Sequence, residues 1–206
     1  MNNHVPDLLS LSENEKEYWV HKILDVDLRI KTHYSELYRL ARISQPGYCL
    51  EIGTDTGISA CLMALASAQT HQPGVYSIDS DIGEGMIRYP HRKNQGGNRW
   101  HVLGTNILLC GLQEQIVLIV DDSLRAYRWF SVPIRLLLID GNHDYQHASQ
   151  DIANYGKWLV SGGYIVCHDY NEDGVARAVQ EQIVPYYSDI IYHKDCHPSY
   201  IVARKP

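Results

Sequence analysis

The feature that most constrains this chain is a repeated unit: a short, uniformly apolar run that closes on polar residues, most often an acid, followed by a segment long enough for a helix. The runs are "YCLEIG" (48–53), "VYSID" (75–79), "IVLIVD" (116–121), "IRLLLID" (134–140), "GYIVCHD" (163–169) and "DIIYH" (189–193). Strands with one wet face alternate apolar and polar residues, and these do not, so they belong to a sheet covered on both sides. Alternation with helices calls for a mostly parallel sheet, that is, an α/β three-layer Rossmann-like sandwich. "TGISACLMALASAQT" is apolar nearly all round, as for a helix packed on a sheet. "DYQHASQDIANYGKWLV" carries a helical stripe at Tyr145, Ala148, Ile152, Tyr155 and Leu159, with Asp144 as its N-cap. At the end of the chain, "DIIYH" and "SYIVARK" (199–205) are separated by a few residues that include Pro198. That spacing predicts a hairpin and an antiparallel strand at the end of the sheet.

Residues 7–45 read as helical, with Trp19, Ile23, Val26, Ile30, Leu37 and Leu40 spaced mainly by three, four or seven, and the helical pattern ends near Pro46-Gly47. The expected organisation is an N-terminal helical cap, residues 1–46, on a domain of residues 47–206. A chain of 206 residues suits one such domain. The 18 Lys and Arg against 24 Asp and Glu leave a net charge of −6 with no basic run, which argues against a nucleic-acid partner. Apolar stretches fall far short of the roughly 20 residues that span a bilayer, and the N-terminus lacks the basic-then-apolar order of a signal peptide. The expectation is a cytoplasmic protein without a membrane partner. Five cysteines with no CxxC pair read as buried reduced thiols. The irregular stretch 80–102, rich in Gly, Arg and His, reads partly as a flexible loop over a site.

Ligands of open parallel sheets bind beyond the carboxyl ends of the strands, so the closing residues are the candidates. The first strand closes with "EIGTDTG" (51–57), a turn whose glycines let backbone amides and a helix N-terminus approach a ligand. The GxGxxG dinucleotide fingerprint is absent, which disfavours a nicotinamide oxidoreductase. The second strand closes with Asp79, placed to accept hydrogen bonds from a ribose diol. Further strands close with Asp121, Asp122 and Ser123, with Asp140, and with His168 and Asp169. So acidic a rim repels a pyrophosphate and attracts a cationic sulfonium or a divalent metal.

"CLEIGTDTGISACLMALA", "VYSIDSD", "VDDS", "LLLIDGNHDY" and "VSGGYIVCHDY" occur in the order and near the spacing of class I S-adenosylmethionine-dependent methyltransferases. The sequence resembles above all the macrocin O-methyltransferase-like group, over roughly residues 47–206. The resemblance implies a seven-stranded sheet with its last strand antiparallel. It implies that Glu51, Gly53 and Gly57, with Thr54 in the same turn, wall the methionine portion of S-adenosylmethionine. Asp79 would hold the ribose, Asp122 and Ser123 would border the adenine, and Asp140 would lie beside the donor methyl group. It further implies a divalent cation, Mg2+ by expectation, on Asp140, His168 and Asp169. Relatives often carry two acids, or an acid and an amide, where this chain has His168 and Asp169. His143 occupies the place of a general base, a role suited to an imidazole near neutral pH. The function so implied is metal-assisted O-methylation of a small-molecule hydroxyl, on a sugar or another natural product. A metal-independent methyltransferase and a non-catalytic S-adenosylmethionine- or S-adenosylhomocysteine-binding protein remain alternatives. The N-terminal helices offer an apolar face through which copies of the chain would form a homo-oligomer.

Overall fold

The computed structural model describes Ser12, Lys22, Leu24 and residues 32–43, 45–80 and 99–206. The elements in chain order are α1 (Thr32–Ala41), β1 (Tyr48–Ile52), α2 (Ile58–Gln69), β2 (Val75–Asp79), α3 (Arg99–Leu109), β3 (Ile116–Val120), α4 (Ser123–Ala126), β4 (Ile134–Ile139), α5 (Tyr145–Gly156), β5 (Leu159–His168), α6 (Asp173–Gln182), β6 (Ser188–His193) and β7 (Tyr200–Arg204). One seven-stranded sheet runs in the order β3-β2-β1-β4-β5-β7-β6. The strands from β3 through β5 pair in parallel, and β7 pairs antiparallel with both its neighbours.

The apolar runs become strands because both sheet faces are covered. All six residues of β4 are buried. One core lies between the sheet and α1, α2 and α3, and includes Leu37, Leu40, Met63, Leu103, Leu136 and Val202. The other lies on the opposite face, and includes Leu50, Phe130, Leu137, Ile152, Tyr155, Ile165 and Ile183. Helix α2 is buried continuously from Ser59 to Ser67, and its alanines at 60, 64 and 66 let it lie close to the strands.

Two local expectations are corrected. The antiparallel strand is present but not at the sheet's edge: β7 inserts between β5 and β6 and buries Tyr200, Ile201, Val202 and Ala203. Four consecutive apolar residues require two covered faces, which an interior position gives. Leu159 is not part of the preceding helix, which ends at Gly156. Leu159 instead starts β5, opposite Ile134 of β4. The expected helix over 7–45 is seen as α1, and most of its earlier part lies outside the described residues, as do 81–98 of the expected loop. The last part of that stretch, from Arg99, is the first turn of α3. All five cysteines are free thiols, four of them buried. Among the described residues no helix is long and apolar enough to cross a membrane.

Candidate functional site

The carboxyl ends of β1, β2, β4 and β5 converge, and backbone pairing holds them to the last residue. Gly53 N donates to Ile78 O at 2.9 Å, and Asp140 N donates to Ile52 O at 2.9 Å. Gly53 has φ +95°, and a Cβ there would fall 2.1 Å from the Asp140 carbonyl oxygen. Glycine is therefore what lets the β1 turn lie against the end of β4. The turn is gripped from its other side by Asp79, whose Oδ2 accepts from Thr54 N at 2.8 Å and Asp55 N at 3.1 Å. Thr54 Oγ1 lies 2.6 Å from Ser77 Oγ. Gly57, also left-handed, opens α2 against Leu103 of α3.

Glu51 sits behind this turn rather than in its wall. It is completely buried, one carboxylate oxygen bonded to Ser59 and the other to Ser77. Burial, with the carboxylates of Asp140 and Asp79 nearby, pushes its pKa up to about 8 despite those hydroxyls. Through those two serines it ties β1 to α2 and to β2. Asp122 caps α4, accepting from Leu124 N at 2.7 Å, and Ser123 begins that helix. Asp144 caps α5 as expected, accepting from His147 N at 3.0 Å.

The polar cluster closing β4 and β5 is a chain of close contacts. His168 Nδ1 lies 3.0 Å from Asp140 Oδ1 and 3.1 Å from Asp169 Oδ2, and His143 Nε2 lies 3.2 Å from the same Asp169 oxygen. Burial pulls the His168 imidazole down, but the two carboxylates outweigh it and lift the pKa to about 10. Burial likewise raises Asp169, yet His168, His143 and His197 together hold it below the usual carboxylate range. His168 Nδ1 is fully buried and, although both acids are near, makes a well-directed hydrogen bond to neither. Asp169 itself adopts a left-handed backbone, φ +51°. Strain of that kind costs on the order of 1–3 kcal/mol and is concentrated at working sites.

Asp140, His143 and Asp169 each offer one ligand atom, all within 4.8 Å of one another. The expected set joined the same two aspartates to His168, whose Nδ1 is 3.0 and 3.1 Å from them, so the structure brings both imidazoles to the pair. Two further histidines border the cluster without a signal in any motif. His33 of α1, 6 % exposed, presents its ring edge-on to His168 at 5.1 Å between centroids, and His197 stands in the β6–β7 connection. The sequence carries no signal for His33, which in the structure lies on the buried stripe of α1 with Leu37, Leu40 and Ala41. His197 reaches the site only because β7 folds back beside β5.

A family model described as a methyltransferase domain matches residues 50–170. The solved structures that this chain resembles include the O-methyltransferase NovP, at 16 % identity, covering 84 % of this chain and 79 % of that one with a TM-score of 0.67. They also include an O-methyltransferase from Bacillus cereus in complex with S-adenosylhomocysteine, at 15 % identity, 98 % and 95 % coverage and a TM-score of 0.64. A third is TomG from Streptomyces achromogenes, in complex with S-adenosylmethionine, at 16 % identity, 95 % and 90 % coverage and a TM-score of 0.63. At these identities the likeness is one of fold.

Proposed function

The chain belongs to the methyltransferase-domain family and has the class I, S-adenosylmethionine-dependent fold, and from that premise we propose that it O-methylates a small-molecule hydroxyl, such as that of a sugar or another natural product, with S-adenosylmethionine as donor. The observation that carries this reading is the convergence of the Asp79-gripped glycine turn with the Asp140, His143, His168 and Asp169 cluster at adjacent strand ends. In the proposed arrangement the turn from Gly53 to Gly57 receives the methionine portion, Asp79 the ribose, and the loop at Asp122 and Ser123 the adenine. The strand-end carboxylates favour the sulfonium, which is the only cationic centre of the donor's reacting part.

The reaction is a direct displacement. The acceptor oxygen forms a bond to the methyl carbon as the carbon–sulfur bond breaks, the sulfur keeps the electron pair, and S-adenosylhomocysteine leaves as a neutral thioether. The hydroxyl proton must depart as the oxygen attacks, and the carboxylate and imidazole groups at the ends of β4 and β5 are the acceptors at hand. His143, which Asp169 orients at 3.2 Å, is the imidazole with a rim position, its side chain 26 % exposed. His168 is buried deeper, its Nδ1 turned toward the two acids at 3.0 and 3.1 Å, so it orders the site rather than drawing a proton from the acceptor.

The residues present fit a divalent cation: three ligand atoms converge within 4.8 Å, and a buried imidazole nitrogen beside them lacks a well-directed partner. Asp140, Asp169 and His143 would hold it, and once bound it would supply positive charge that lowers the pKa of an acceptor hydroxyl; His143 Nε2 would then not take the acceptor's proton, which would leave to a strand-end carboxylate or to water.

Calorimetric titration of the purified chain with S-adenosylhomocysteine tests the reading. Binding is expected in the wild type, weakened about tenfold or more in Asp79→Ala, where both the turn and the ribose lose an acceptor. Absence of binding to the wild type would overturn it.

A further inference from the structure

The proposed cation site is not built like one for magnesium. Mg2+ is held by carboxylates and keeps much of its water, whereas imidazole nitrogen suits the later first-row cations. Here the two carboxylates, Asp140 and Asp169, are surrounded by imidazoles: His143 Nε2 at 3.2 Å and His168 Nδ1 at 3.1 Å from Asp169, with His33 edge-on to His168. Among the described residues, Asp140, His143 and Asp169 offer mutually close ligand atoms. With metal bonds of about 2.1 Å, two donors at a right angle lie about 3.0 Å apart and two in a tetrahedron about 3.4 Å. The 3.2 Å between His143 Nε2 and Asp169 Oδ2 falls between these values.

His143 is also presented from a fixed backbone. Its turn is closed by Asn142 Oδ1, which accepts from Asp144 N at 3.1 Å, and by the Asp144 cap on α5. Gly174, at the start of α6, packs so closely that a Cβ there would lie 2.3 Å from the His143 carbonyl oxygen. A donor held this way contributes to binding with little ordering cost.

We propose that His143 is a metal ligand, through Nε2, and that this nitrogen makes the site select a cation of the Co2+, Ni2+ and Zn2+ class over Mg2+. The proposal rests on the methyltransferase reading for the presence of a cation, but concerns its chemical class and one donor. It also bears on the reaction, because an imidazole nitrogen bound to a metal has no lone pair left to accept a proton.

Metal-stripped full-length protein would be titrated calorimetrically with Co2+ and, separately, with Mg2+, in the wild type and in His143→Ala, His168→Ala and His147→Ala. Co2+ binds most divalent sites better than Mg2+, so the decisive quantity is the difference between the variants. His143→Ala is expected to weaken Co2+ by roughly 30-fold or more, to change Mg2+ by less than about threefold, and to shift the visible absorption bands of the Co2+ complex. His147→Ala, a half-buried imidazole in the first turn of α5 and outside the three-donor set, is expected to leave Co2+ binding as it is. Equal losses of both metals in His143→Ala, no loss of Co2+, or a loss confined to His168→Ala would each overturn the assignment. S-adenosylhomocysteine titrated into the same samples separates the two failures. If it binds while the Co2+ pattern fails, the donor assignment falls alone; if it does not bind, the methyltransferase reading falls, whatever the metals do.

Discussion

Asp151 is the clearest case of a residue whose burial works against it. It lies on α5 with 1 % of its surface exposed; its Oδ1 has no partner and its Oδ2 faces Gly141. Burial raises its pKa from 3.8 to about 6, partly offset by the Ser123 hydroxyl. A carboxyl whose folded-state pKa is raised gives its full contribution to stability only below the unfolded value, and loses it as pH rises through the folded value. Asp151→Asn should therefore change stability little near pH 4 and raise it by about 1–3 kcal/mol at pH 7.5. Urea denaturation of both proteins at the two pH values checks this. Arg135 is buried as well and its Nε has no partner, but its two terminal nitrogens are engaged. Its guanidinium is buried and reaches the carbonyls of Gly47, Pro73 at 2.9 Å and Ala41 at 3.4 Å, and Ser67 Oγ at 2.6 Å, tying α1, α2 and two loops to β4. Arg135→Met keeps the volume but strands those acceptors, and should cost about 3 kcal/mol in the same assay.

At the scale of elements, the site depends on how tightly the end of β1 lies on the end of β4. Gly53→Ala would place a methyl group 2.1 Å from a backbone oxygen and force a left-handed alanine. Neither strand can withdraw, because Gly53 N and Asp140 N are both committed to the sheet. The substitution should cost about 3 kcal/mol and abolish S-adenosylhomocysteine binding even where the protein remains folded, as calorimetry beside a circular-dichroism melt would show. The β6–β7 hairpin contributes to the site less directly. By inserting β7 beside β5 it brings Tyr200 opposite His168 and carries His197 to the acid cluster.

Across the whole molecule, α1 belongs to the same core as the sheet: Leu37, Leu40 and Ala41 are buried with α2, while His33 on the same stripe reaches His168. The helical cap is thus tied to stability and to the site at once. Removing residues 1–46 should lower the thermal midpoint by about 10 °C or more through exposed apolar surface, and the removal of His33 should weaken the ordering of His168 in the remaining fold. A melting curve of the truncated chain against the full chain checks the first effect. Saturating S-adenosylhomocysteine should raise the midpoint of the full chain, by mass action on the folded state.

The sequence by itself determined the sheet, its helices and which strand ends carry the acids. Those follow from local period, since "IRLLLID" and "VYSID" are apolar on both faces and each stops at an aspartate. It also yielded the Asp144 cap, because a cap acts within three residues of itself. Glycine at 53 was legible as a turn, but the reason for it, the Asp140 carbonyl pressed against its α-carbon, joins residues 87 positions apart. Only the tertiary structure decided that Glu51 lies behind the cleft on two serines, that His143 joins His168 beside the two aspartates, and that His33 and His197 reach the same cluster. Each of those outcomes depends on the order of the strands in space and on the direction of a side chain. Neither leaves a period in the sequence, because both are fixed by packing between segments that are far apart along the chain.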